Sequence, residues 1–181
     1  MARRPLTGVV LVGGESRRFG SPKALALLDG ETFLDRARRV LADVCDEVLV
    51  VGKAGELPFD VLDDGSAVRA PIAGVVAGLR AAESDVVFFL PVDCVRITGG
   101  VVRTLVDACR DAAVPQTGPL PGAWSRSALP LLEQRLATGP LALYRTYDDL
   151  DVAVVDVDPA LVIDVDAPRD LAALRNPPER A

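Results

Sequence analysis

Short runs of β-favouring residues alternate along this chain with segments whose apolar residues recur at helical spacing, and this alternation restricts the fold more than any other feature. Gly8-Val9-Val10-Leu11-Val12, Val48-Leu49-Val50-Val51, Phe59-Asp60-Val61-Leu62, Val86-Val87-Phe88-Phe89-Leu90, Val152-Ala153-Val154-Val155-Asp156-Val157 and Val162-Ile163-Asp164-Val165 read as strands. Between them, Phe33, Leu34, Ala37, Val40 and Leu41 mark one helix face, Ile72, Val75, Val76 and Leu79 a second, and Val101, Val102, Leu105, Val106 and Cys109 a third. Strands alternating with helices imply an α/β fold of three layers, a mostly parallel twisted sheet with helices on both faces. Such sheets bind ligands beyond the carboxyl ends of their strands, where strand order reverses. Gly13-Gly14, Gly52, the pair Asp63-Asp64 and Asp93 all fall at predicted carboxyl ends. One domain over residues 1–175 is expected, with 176–181 a frayed tail. The Pro/Gly-rich stretch 114–122 reads as a loop.

Composition narrows the chemistry. Half of the 181 residues are apolar and few are aromatic, so the core must be built from Val, Leu and Ala, as buried parallel strands require. A net charge of −6 argues against broad nucleic-acid binding, which needs a basic face. No apolar run approaches the ~18 residues of a membrane span. The basic start, Met1-Ala2-Arg3-Arg4-Pro5, runs straight into the first strand without the apolar segment and cleavage site of a signal peptide. Cys45, Cys94 and Cys109 are odd in number and show no C-x-x-C spacing, which suits reduced thiols in a cytoplasmic protein. Cys94 follows Asp93, but a small buried side chain is the plainer reading than a nucleophile. The chain has no histidine. That removes Ser-His-Asp and Cys-His nucleophiles and every His-based zinc site. Chemistry done by carboxylates, cations and a metal remains, and phosphoryl or nucleotidyl transfer fits that limit because positioning and electrostatics dominate it.

The first strand breaks into Gly13-Gly14-Glu15-Ser16-Arg17-Arg18-Phe19-Gly20-Ser21-Pro22-Lys23. Glycines let backbone N–H groups approach an anion, and Arg17, Arg18 and Lys23 add cations. Gly20 is followed by Ser-Pro-Lys, so this is not G-x-x-x-x-G-K-[ST]; adjacent glycines without a third also exclude G-x-G-x-x-G. A cationic loop on an acidic chain suggests a small anionic ligand. The plain alternative is a Gly-rich turn with solvated arginines.

Leu11-Val12-Gly13-Gly14-Glu15-Ser16-Arg17-Arg18-Phe19-Gly20, closed by Lys23, resembles the Leu-Ala-Gly-Gly-x-Ser-x-Arg-Met-Gly-x-x-Lys signature of nucleotidyltransferases that activate small phosphorylated molecules. Four further blocks follow in order: residues 71–79, Phe89-Leu90-Pro91-Val92-Asp93, residues 123–133, and Val165-Asp166-Ala167-Pro168-Arg169-Asp170-Leu171. Together they resemble the molybdenum cofactor guanylyltransferases and imply a Rossmann-like nucleotidyltransferase fold. The resemblance implies transfer of GMP from GTP to the terminal phosphate of molybdopterin, with Mg²⁺ as cofactor, and transient contact with other proteins that handle the molybdenum cofactor. Leu11, Val12, Gly13, Gly14 and Gly52 are then expected at the nucleotide, Arg18 and Lys23 on the phosphates, and Asp93 on the metal beside it. Asp166, or Asp164, supplies a second carboxylate; Asp166 alternatively caps the final helix. Asp64, or Asp63, reads the base. Gly52 stands where the family often has asparagine, Pro22 where it is commonly acidic, and Asp164-Val165-Asp166 where this branch more often has Asn-x-Asn. The residues leave open CTP or another triphosphate, another phosphorylated acceptor, and a non-catalytic nucleotide-binding module.

Overall fold

The computed structural model describes residues 5–13, 22–167 and 169–171. Strand β1 (Thr7–Leu11) is followed by a small hairpin, β2 (Leu27–Leu28) and β3 (Glu31–Thr32). Next come helix α1 (Phe33–Ala42), strands β4 (Glu47–Gly52) and β5 (Leu62–Asp63), α2 (Pro71–Ala81), β6 (Val86–Pro91) and α3 (Gly99–Ala108). The chain continues through β7 (Ala112–Pro115), β8 (Gly122–Ser125), α4 (Leu129–Thr138) and β9 (Val152–Val155). Seven strands form one sheet in the order β5-β4-β1-β6-β8-β7-β9. β4 and β6 flank β1 in parallel, whereas β8 runs antiparallel to both β6 and β7. Strand order therefore reverses at β1, with β4 on one side and β6 on the other.

The three layers follow from the pleat. Side chains alternate across a strand, and the central strands are apolar on both faces. Val10, Phe88 and Leu90 pack with Phe33, Leu34 and Leu41 of α1 and Val102 and Leu105 of α3. Val9, Val87 and Phe89 face the other way, onto Ile72, Val75 and Leu79 of α2 and Leu132 of α4. α2 is buried without interruption from Ile72 to Leu79, as a helix wedged between sheet and neighbouring helix must be. Its small residues set that approach: a Cβ at Gly78 would lie 2.5 Å from Cε1 of Phe89. Alanine normally stabilises a helix interior by ~0.5–1 kcal/mol over glycine. At this position overpacking against a fully buried ring, costing ~1–3 kcal/mol, wins. Gly78→Ala is expected to lower the urea midpoint of unfolding; an unchanged or raised midpoint would show that the helix can shift without cost.

Two predicted strands differ. Only Leu62–Asp63 of the run beginning at Phe59 pairs, with Val51 and Gly52, because β5 is a sheet edge with Leu62 exposed. Residues 162–165 form no strand. Pro159 opens a 3₁₀ turn (Pro159–Leu161), and the buried side chains are Val162 and Val165, three apart rather than two, while Ile163 is exposed. The stretch read as a loop over 114–122 is loop only at 116–121, flanked by β7 and β8. Both strands are rich in Ala, Gly and Pro, residues with little strand preference, and sheet pairing places them. Among the described residues no helix is long and apolar enough to cross a membrane.

Candidate active site

Beyond the carboxyl ends of β1, β4 and β6 the chain stays in register for one more residue. The N–H of Val12 donates to the Val51 carbonyl at 2.9 Å, and that of Val92 to the Leu11 carbonyl at 3.0 Å. Three strand ends are thus fixed relative to one another before they diverge, and a cleft of about 430 Å³ opens between them. Leu11, Val12 and Gly13 form its floor, and Gly52, Asp64, Lys23 and Asp93 line it with the start of α2. A Cβ at Gly13 would meet nothing within 4 Å among the described residues, which leave the space in front of this backbone to the cleft. At Gly52 the reverse holds: a Cβ would lie 2.7 Å from Cγ2 of Val12. The glycine here accommodates the neighbouring strand end, and an asparagine would require Val12 to move.

At one end of the cleft Lys23, on the 3₁₀ turn Lys23–Leu25, reaches across to two acids. Its Nζ donates to Asp93 Oδ2 at 2.8 Å and to Asp166 Oδ1 at 3.0 Å. Asp93 sits just past β6; Asp166 is brought in from the far end of the chain, where the Val165 N–H donates to the Asp93 carbonyl at 3.1 Å. Burial works to lower the pKa of the Lys23 ammonium, but the hydrogen bonds and charges of Asp93 and Asp166 outweigh it and hold it above its ordinary value. Asp164 keeps an exposed surface, yet desolvation first, then the Asp93 and Asp166 charges, raise its carboxyl to about 6. This corner is therefore rich in negative charge and gathers around a cation. Among the described residues no backbone N–H donates to the Asp166 carboxylate as a helix cap; instead Asp170 Oδ2 accepts from the N–H groups of Asp166 and Ala167 at 3.0 and 2.7 Å.

The other end separates Asp63 from Asp64. Asp63 spends both oxygens on backbone, accepting from Ala54 N at 2.7 Å and Gly65 N at 2.6 Å; these bonds hold its pKa below the usual carboxylate range. Asp64 lines the cleft instead and pairs with Lys53, Nζ to Oδ1 at 2.7 Å. Sequence reasoning overlooked Lys53, although its place directly after the strand-ending Gly52 was a legible signal. Cys94 is buried and its thiol is pushed far up, chiefly by desolvation, which leaves it without nucleophilic character. Gln116 clamps backbone, donating to Val157 O at 2.7 Å and accepting from Val157 N at 3.1 Å, while Leu120 of the same loop faces the cleft. Gly14, Arg17 and Arg18 lie outside the described residues.

The MobA-like NTP transferase domain family matches residues 8–152. A molybdenum cofactor guanylyltransferase from Desulfosudis oleivorans is 31% identical over 178 residues, covering 87% of each chain. A probable molybdenum cofactor guanylyltransferase from Deinococcus radiodurans is 35% identical, covering 94% of each. Among solved structures, molybdopterin-guanine dinucleotide biosynthesis protein A from Archaeoglobus fulgidus shares the fold, with a TM-score of 0.76 at 22% identity over 92% of this chain and 95% of that one. With the reversal of strand order at β1 and the cleft beyond it, these similarities make the chain a nucleotidyltransferase that belongs to the MobA-like NTP transferase family, the family of the molybdenum cofactor guanylyltransferases.

Proposed function

We propose that this chain transfers GMP from GTP to the terminal phosphate of molybdopterin, releasing pyrophosphate, in the cytoplasm. The observation that carries this reading is the Lys23 ammonium held between Asp93 and Asp166 at the mouth of a cleft whose opposite end bears Asp64. The Leu11-Val12-Gly13 backbone lies under the nucleotide, Asp64 accepts from the guanine N1–H and exocyclic amine, and Arg18 and Lys23 take the phosphates, with the Gly14 backbone beside them. A phosphate oxygen of the acceptor attacks the α-phosphorus in line, the bond from the α-phosphorus to the β-bridging oxygen breaks, and pyrophosphate leaves with that electron pair. A phosphate monoester is already anionic near neutral pH, so the nucleophile needs no general base. Cations on the phosphates then stabilise the charge that gathers in the transition state.

Asp93 and Asp166 fit a divalent ion. Their oxygens already converge on one positive charge, and no cluster of three His, Cys, Asp or Glu side chains among the described residues could cage a metal alone. Mg²⁺ suits such a pair because it takes one or two carboxylates and completes its octahedron with phosphate oxygens and water. When bound it would polarise the phosphates and offset their charge. The reduced thiols Cys94 and Cys109 accord with a reducing compartment. The test is pyrophosphate release from GTP, CTP, ATP and UTP in parallel, with Mg²⁺, with and without molybdenum cofactor. Release from GTP only when the cofactor is added supports the reading. Release from CTP alone moves the base, and no release from any triphosphate overturns the acceptor and revives a non-catalytic module.

A further inference from the structure

Lys53 is the first residue beyond β4, and the chain that follows β5 folds back around it. Its Nζ donates to Asp64 Oδ1 at 2.7 Å, to the Val68 carbonyl at 3.0 Å and to the Ser66 carbonyl. A lysine ammonium has three donors and no acceptor, so these three oxygens saturate it. Asp64 Oδ1 also accepts from the Ser66 N–H at 3.0 Å, and Ser66 Oγ accepts from the Val68 N–H at 3.0 Å. Gly65, at φ +65°, makes the turn that permits this wrapping. The Asp64 N–H donates to the Gly52 carbonyl at 3.0 Å, tying the loop to the strand end that presents Lys53. Asp64 is thus held through one oxygen, and among the described residues Oδ2 has no hydrogen-bond partner.

We infer that Lys53 is a positioning residue for base selection: it anchors Asp64 through Oδ1 and leaves Oδ2 turned to the cleft as an acceptor for a base that presents N–H. This rests on the reading of Asp64 as the base-recognising carboxylate. Lys53 lines the cleft, but its three donors are used within the loop, so its ammonium has none left for the nucleotide. Guanine offers an N1–H and an amine to such an oxygen. Adenine offers the lone pair of N1, which a fixed carboxylate repels, so rejection depends on the carboxylate being unable to turn away. A mobile Asp64 would still accept from guanine but would no longer exclude adenine, and its hold on guanine would carry the cost of ordering.

The test is calorimetric binding of GDP and ADP, which needs neither acceptor nor turnover, to the wild type, Asp64→Asn, Lys53→Met, Lys53→Arg and the Asp64→Asn/Lys53→Met double variant. Lys53→Met is expected to lower the GDP-over-ADP preference about tenfold or more, the scale of a buried polar partner left misplaced. Lys53→Arg should restore part of it, and the double variant should lose no more than Asp64→Asn alone, because the two residues act as one unit. Equal weakening of GDP and ADP in Lys53→Met, or an unchanged preference, would overturn the inference while leaving Asp64 in place. An unchanged preference in Asp64→Asn would instead remove the base reading itself, and the inference with it. If Lys53→Met does not fold, Lys53→Gln, which keeps two donors for the loop carbonyls, is read by the same ratio.

Discussion

Asp93→Ala is expected to lower pyrophosphate release from GTP by about 10³-fold or more while leaving a folded protein, since one substitution removes both the proposed metal ligand and a partner of Lys23. Stability should change far less. The Asp93 and Lys23 side chains are 19% and 18% exposed, and Lys23 keeps Asp166, whose side chain is 68% exposed, as a second partner. A partly solvated pair that retains one acid contributes on the order of 1 kcal/mol, against the several that follow when a deeply buried charge is left alone. Turnover and the urea midpoint measured on the same preparation separate the two effects. Wild-type turnover in this variant would sink the assignment of Asp93. A collapse of the midpoint would mean that the acid serves the fold before it serves any ligand.

Lys23→Met carries the second large effect, and it acts in two directions. Turnover should fall by about 10²–10³-fold, the magnitude seen when one preorganised donor to a developing charge is removed. Divalent-ion binding without nucleotide should rise, because the ammonium now stands 2.8 and 3.0 Å from the very oxygens that an ion needs. Removing that competing charge leaves the Asp93 and Asp166 carboxylates without it, and the gain should be about tenfold or more in affinity, one charge-pair interaction at a partly solvated site. Mn²⁺ titration followed by electron paramagnetic resonance reads this directly. Tighter Mn²⁺ binding together with lost turnover is the expected pair. Unchanged Mn²⁺ affinity would show that Lys23 and the ion do not share a place, and that triphosphate need not draw Lys23 off the carboxylates as the nucleotide and ion arrive.

Much of this molecule is legible in its sequence. β1, β4 and β6 are short, apolar and β-branched, and such runs can be buried on both faces only in a covered parallel sheet; α1, α2 and α3 announce themselves by spacing. Leu11, Gly13, Gly52, Asp64 and Asp93 came together at strand ends because the topology of an alternating sheet leaves them nowhere else to go. β7 and β8 were hidden. Their Ala, Gly and Pro content prefers turns, and they are strands because the neighbouring edges of β6 and β9 supply hydrogen-bond partners. The expected strand at 162–165 failed for the converse reason, since Val162 and Val165 bury three residues apart after a 3₁₀ turn and no strand among the described residues pairs with them.

The division between the two levels is physical. Periodicity and residue type are local properties, and they determined the α/β class, the position of the cleft and the kinds of charge around it. Which charges meet is decided by contacts across long separations. Lys23 and Asp166 are joined over 143 residues, and Lys53 and Asp64 across the gap from β4 to β5. Asp63 and Asp64 are neighbours with the same side chain, and only the direction of the backbone at a sheet edge sends one to cap amide groups and the other into the cleft.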